Sequence, residues 1–226
     1  WVDDRNKTVM PLPPSLYRPI IEEAHAHGLR VIAHVYYLAD AKSLLRAGID
    51  GFAHGIRDLD VDDEIMGLFK ERPQVFVIPN LPDTPPSVND SVWLSETLPS
   101  KQIEALRKTA VERPARPRLF EVQARNLSRL NAAGVRIGFG TDAGVGGPYG
   151  FSAHTELADM VAAGMTPAQV IVAATRTSAD ILRLNRDLGL QILGPRGMLH
   201  AYDGEGRDEL AKLPGPGGSA AMIVTA

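Results

Sequence analysis

The sequence contains no cysteine, which removes disulfides and thiolate zinc sites from consideration and leaves the compartment open. It lacks any run of about 18 apolar residues, so a membrane-spanning helix is not expected. Neither sign of charge dominates: 24 basic against 27 acidic residues give a formal net charge of -3. That is too weak a field to gather nucleic acid or an anionic membrane surface. No segment repeats at a period of roughly 20–50 residues, which sets solenoids and propellers aside. No basic, apolar leader opens the chain. Trp1-Val2-Asp3-Asp4 reads instead as the tail of a strand already under way. The expectation is a chain that begins partway through a longer product, cytoplasmic or exported.

What is present is ordinary globular composition, 44% hydrophobic and 23% charged over 226 residues. That length supports one sizeable core and lies near the lower edge of a full (β/α)8 barrel. Ser15 is expected to cap a helix over residues 16–27, with Leu16, Ile20, Ile21 and Ala24 at helical spacing and Gly28 as its stop. Residues 29–35 form a short, β-branched apolar run, the pattern of a strand buried on both faces. The unit then repeats. Helices are expected over 39–47 and 61–71, and strands over 49–53 and 75–79. The stretch 91–133 is mostly helical with breaks near Pro114 and Pro117, and a strand over 135–139 leads into Gly140-Thr141-Asp142-Ala143-Gly144. Helical patterns follow over 154–163, 167–174 and 178–184.

Short apolar strands alternating with amphipathic helices imply a parallel sheet. The fold class is therefore α/β, a partial (β/α)8 TIM barrel running from the end of strand four through strand eight and the helices after it. Residues 1–189 form this unit. Residues 190–226 read as a Gly/Pro-rich loop or tail, with one short strand over 220–224.

Parallel α/β folds gather function at the C-terminal ends of their strands. Three polar residues fall there, each after an apolar run and before a loop: His34, His54 and Asp142. Two imidazoles and a carboxylate suit zinc or a similar divalent ion. A lone strand-end histidine is ordinarily a hydrogen-bonded structural residue, but three such positions in succession favour a shared ion. Tyr36 lies two residues past His34, and Tyr37 beside it is expected to point elsewhere. His154 and Glu156 follow the Gly-rich loop, where substrate contact competes with capping or bracing of that loop. The glycines from Gly140 to Gly147 lack the lysine and spacing of a phosphate loop and are read as turn formers. Arg113, Arg116 and Arg118 read as a solvated basic loop.

Ala33-His34-Val35-Tyr36, Ala53-His54-Gly55 and Gly140-Thr141-Asp142-Ala143-Gly144 resemble strands five, six and eight of the amidohydrolase superfamily, closest to its imidazolonepropionase and prolidase-like branch. The resemblance runs from Trp1 to about Gly189. It implies a metal-dependent hydrolase of carbon–nitrogen bonds (amide, imide or dipeptide-like) acting on a small-molecule substrate. One or two divalent ions, zinc foremost, would be held by His34 and His54. Asp142 would contact metal and take the proton of the attacking hydroxide. Tyr36 would donate to the substrate carbonyl, and His154 would lie near the pocket. Oligomeric state is left open.

The sequence departs from the family in two ways. His25-Ala26-His27 imitates a first-strand His-x-His but ends an expected helix, where residues two apart diverge by about 200°. These read as surface histidines. No lysine ends a fourth strand, Lys7 lying too far into a loop, and from Leu190 onward the family's β pattern is replaced by Gly194-Pro195-Arg196-Gly197. The expectation is that the chain alone folds poorly and lacks activity. A deaminase would want an acid near Pro79-Asn80-Leu81, which is absent. A metal-free α/β binding domain with structural histidines is the other alternative.

Overall fold

The computed structural model describes residues 12–81, 95, 99–109, 118–142, 151–184, 190–193 and 198–201. The opening Trp1-Val2-Asp3-Asp4, Lys7, Arg113, Arg116, most of the glycine loop and the 220–224 segment lie outside them. The first helix, α1 (Pro14–Ala26), starts two residues before the point where serine capping would put it. Pro13 takes the cap position and Pro14 the first helical one, where a fixed φ and a missing N–H are no handicap. Its buried side is Tyr17 and Ile21, while Leu16 and Ile20 face solvent, so the apolar spacing exceeds the face that packs.

The unit β1 (Ile32–His34), α2 (Leu38–Ala47), β2 (Gly51–Ala53), α3 (Asp63–Glu71), β3 (Phe76–Ile78) follows directly. Then come α4 (Ser100–Thr109), α5 (Arg118–Ala132) and β4 (Arg136–Ile137). The four strands pair parallel in the order β1-β2-β3-β4, with Ile32 opposite Gly51, Gly51 opposite Phe76 and Phe76 opposite Arg136. Sequential parallel neighbours joined by helices are the βα topology of a barrel segment. β1 is less covered than a doubly buried strand: Ile32 is half exposed, because β1 is an outer strand of the described sheet.

Helix ends follow local chemistry. Gly48 closes α2 in the left-handed region, and Asp62 caps α3 by accepting the Ile65 N–H. Arg72 then reaches back to the α2 terminus, donating to the Leu45 and Gly48 carbonyls at 2.7 and 2.8 Å. The core gathers Ile21, Leu44, Leu45, Ile49, Phe52, Ile65 and Val77, and Phe52 meets Phe69 edge to face.

After β4 come α6 (Phe151–Ala162) and α7 (Pro167–Val172), the latter opened by a Thr166/Gln169 capping box. α7 passes through a π-helical turn (Ala173–Thr177) into α8 (Ser178–Leu182). Residues 190–193 and 198–201 then pair as antiparallel strands β5 and β6 where the aperiodic sequence suggested loop. Two four-residue strands are too short for periodicity to separate them from loop. No helix among the described residues is long and apolar enough to cross a membrane.

Candidate active site at the strand ends

His34 is the last residue of β1, and His54 directly follows β2. Parallel pairing of these strands in register carries both imidazoles to the same end of the sheet. Nδ1 of His34 stands 2.7 Å from Nε2 of His54, with the ring centroids 4.7 Å apart. His54 is buried and His34 half-buried. The chain turns sharply at this end. His54, Asn80 and Asp142, one after each of β2, β3 and β4, have φ of 84°, 41° and 50°. Left-handed backbone at non-glycine residues costs energy, and three consecutive strand ends share it.

A buried polar lattice holds these turns. The His54 and Gly55 amides donate to the Ile78 and Pro79 carbonyls, both at 2.9 Å, extending the β2–β3 ladder past the strands. The Asn80 amide nitrogen lies 2.8 Å from His54 Nδ1. Arg57 stitches three loops: its backbone N–H donates to the Tyr36 carbonyl, and its guanidinium donates to the Asn80 carbonyl at 2.8 Å. From α6, both oxygens of the buried Glu156 accept the Leu81 N–H, so here the His-x-Glu pair braces the loop after β3. His154 itself is exposed. On the far side, Ser178 accepts the Phe139 N–H at 3.1 Å and donates to Ala173 across the π-helical turn, tying the exit of β4 to α8.

The structure therefore brings His34 and His54 together. Asp142 is exposed, in the segment that follows β4, and β4 lies two places along the sheet from β2. Among the described residues no group of three or more His, Cys, Asp or Glu is arranged to hold an ion. Tyr36 is half-buried, and its ring meets Tyr37 edge-on at 4.9 Å instead of diverging from it. The strand ends at His34, so strict alternation no longer governs these two side chains.

Gly138 and Gly140 take no left-handed turn, and each faces a neighbouring side chain at close range. A Cβ at Gly138 would come within 2.6 Å of Ile181, and one at Gly140 within 2.6 Å of Ile78. His25 and His27 lie at the opposite end of the sheet, paired with Asp50 and Glu23 at 2.8 and 2.9 Å. Two cavities, of about 460 and 440 Å³, flank the start of β4 and contain no histidine. Asn80, Arg57 and the bracing use of Glu156 had no periodic signal to reveal them, since each acts on a chain segment distant in sequence.

Four parallel βα units whose polar side chains collect at the C-terminal strand ends define part of a (β/α)8 barrel. The chain belongs to the amidohydrolase family, whose profile matches residues 7–194. Among solved structures it is similar to a Bifidobacterium longum protein assigned as a prolidase, with 27% identity and a TM-score of 0.59 over 84% of this chain and 45% of that one. It is also similar to an amidohydrolase at 24% identity and TM-score 0.53, covering 90% of this chain and 45% of that one. A third is a Xaa-Pro dipeptidase with methionine bound in its active site, at 20% identity and TM-score 0.54, covering 83% and 44%. The latter two, below 25% identity, speak to the fold alone. The chain thus spans less than half the length of these proteins. Comparison with curated proteins finds no match.

Proposed function

We propose that the protein to which this chain contributes hydrolyses carbon–nitrogen bonds in amide, imide or dipeptide-like small molecules, with a divalent metal held in part by His34 and His54. The observation that carries this reading is the 2.7 Å approach of two imidazole nitrogens at adjacent strand ends. Two ligands of one zinc ion, each about 2.0–2.1 Å from it at a tetrahedral angle, have nitrogens roughly 3.3 Å apart. Seating an ion there requires the pair to open from 2.7 Å and to give up the proton held between the two rings. The donor chemistry fits such an ion, and the described residues supply these two donors of a fuller set.

When bound, one or two such ions, zinc foremost, furnish hydroxide near neutral pH and polarise the scissile carbonyl. The protein's own groups do the rest. Asp142, in the segment after β4, is assigned the proton taken during attack and passes it to the departing nitrogen, which leaves poorly unless protonated. Tyr36 is assigned a hydrogen bond to the carbonyl oxygen as charge develops there. His154, exposed at the start of α6, is assigned to substrate contact.

The test adds zinc or cobalt(II) to the chain and follows the imidazole ¹⁵N resonances of His34 and His54. Turnover of N-acyl amino acids and Xaa-Pro dipeptides is measured on the gene's complete product, before and after chelation. Selective shifts at both histidines and metal-dependent turnover lost about 100-fold or more in His54→Ala are expected. Metal-independent spectra and no turnover would leave a metal-free α/β binding domain as the reading.

A further inference from the structure

His54 is held from both ring nitrogens. Nε2 faces His34 Nδ1 at 2.7 Å, and Nδ1 faces the Asn80 amide nitrogen at 2.8 Å. An amide nitrogen only donates, so with this end of the Asn80 amide toward the ring His54 Nδ1 is the acceptor, which assigns the proton to Nε2, directed at His34. In that tautomer Nε2 offers no lone pair to a cation.

The residue at position 80 decides which tautomer is held. Asparagine is nearly symmetric in shape about its terminal bond but opposite in chemistry at its two ends. A half-turn of the amide replaces the donor nitrogen by an acceptor oxygen in the same place. The oxygen then accepts a hydrogen bond from Nδ1–H, the ring proton having moved there, and Nε2 is left with its lone pair exposed toward His34. The rest of Asn80 is held still. Its side chain is buried, its carbonyl accepts from Arg57 at 2.8 Å, and the following N–H is held by both oxygens of Glu156. Only the terminal torsion is left to change.

We propose that Asn80 is the positioning residue that sets the tautomer of His54, its amide turning over when a divalent cation takes Nε2. The cation half of this proposal rests on the metal reading above; the tautomer half does not. Ligating histidines are commonly oriented through their second nitrogen by a carboxylate or carbonyl, and an amide able to present either end is a reversible form of that partner.

The experiment records long-range ¹H–¹⁵N spectra of the histidine rings in the full chain, with and without zinc, at a pH where the rings are neutral. Wild type without added zinc is expected to show His54 protonated on Nε2. The isosteric Asn80→Asp can only accept and should move the proton to Nδ1 with no metal added. Asn80→Ala should leave a mixture of tautomers. Zinc affinity read at His54 should rise several-fold in Asn80→Asp and fall about 10-fold or more in Asn80→Ala. Dispersed backbone amide spectra establish that each variant is folded, and Asn80→Asp preserves the side chain's volume. An unchanged His54 tautomer in folded Asn80→Asp overturns the proposal. A tautomer that follows position 80 while zinc perturbs neither histidine in any variant supports tautomer control and sinks the metal reading instead.

Discussion

Both carboxylate oxygens of Glu156 accept the backbone N–H of Leu81, at 3.1 and 2.8 Å, across 75 residues of sequence. The contact fixes the loop that carries Asn80 from the helix that follows the next strand, β4. Removing it in Glu156→Ala should cost about 1–3 kcal/mol, because a buried donor loses its acceptor. Glu156→Gln keeps one acceptor oxygen and should lose less. Urea denaturation measures both. Equal stability of Glu156→Ala and wild type would mean the contact is not maintained in solution.

Asn126, buried in α5, does the corresponding task for the loop after β2. Its amide donates to the Ile56 and Leu59 carbonyls at 3.1 and 2.9 Å and accepts the Val61 N–H at 2.8 Å. Asn126→Leu fills the same space but strands three backbone groups. A loss of about 2 kcal/mol or more is expected, with faster hydrogen exchange at Val61. Exchange at Val61 left unchanged would contradict the assignment.

Two glycines should respond in opposite directions. At Gly51 a Cβ would lie 2.5 Å from the ring of Phe76, whose register partner it is in β3. Gly51→Ala should therefore destabilise by about 1–3 kcal/mol through overpacking. Gly67 is exposed in α3 with nothing near its missing Cβ, and Gly67→Ala should gain up to about 1 kcal/mol from helix propensity. Thermal melts of the two variants should shift in opposite senses.

Lys42 bridges Asp62 and Glu64 at 2.5 and 2.6 Å, which holds both carboxyls below their ordinary range. In the unfolded chain they return to about 4. Their contribution is thus fully present above that value and is lost as pH falls through the lower, folded values. Lys42 itself is raised by the same two partners, so its share persists below its unfolded value and fades as pH climbs through the folded one. Both carboxylates are about half exposed, so the effect is small and screened by salt. Lys42→Met should flatten the acid limb of a stability-versus-pH curve recorded at low salt. An unaltered acid limb would rule the bridge out as a contributor.

Much of the strand-end geometry was legible in order of appearance. His34, His54 and Asp142 are each the first charged or imidazole residue after a short apolar run, and a parallel sheet puts such positions at one end. Helix stops at Gly48 and Gly134 were legible for a local reason, since both glycines take a left-handed turn. Capping was less secure: Ser15 competed with Pro13 and Pro14, and the prolines' restricted backbone prevailed. The α1 stripe misled because its apolar residues outnumber the partners available to cover them, leaving Leu16 and Ile20 in solvent.

By its own pattern of apolar runs, glycines and strand-end polar residues, the sequence determined the alternation of strand and helix and named both imidazoles of the pair. It could do so because those signals act over a few residues. The partners of that pair were decided only by tertiary structure. Asn80, Arg57 and Asn126 look in sequence like solvated loop and helix positions, and Glu156 reads as a capping or bracing residue with no partner named. Each acquires its role from a buried donor or acceptor 23 to 75 residues away. Such a group must be satisfied once water is excluded, and folding alone determines which groups those are.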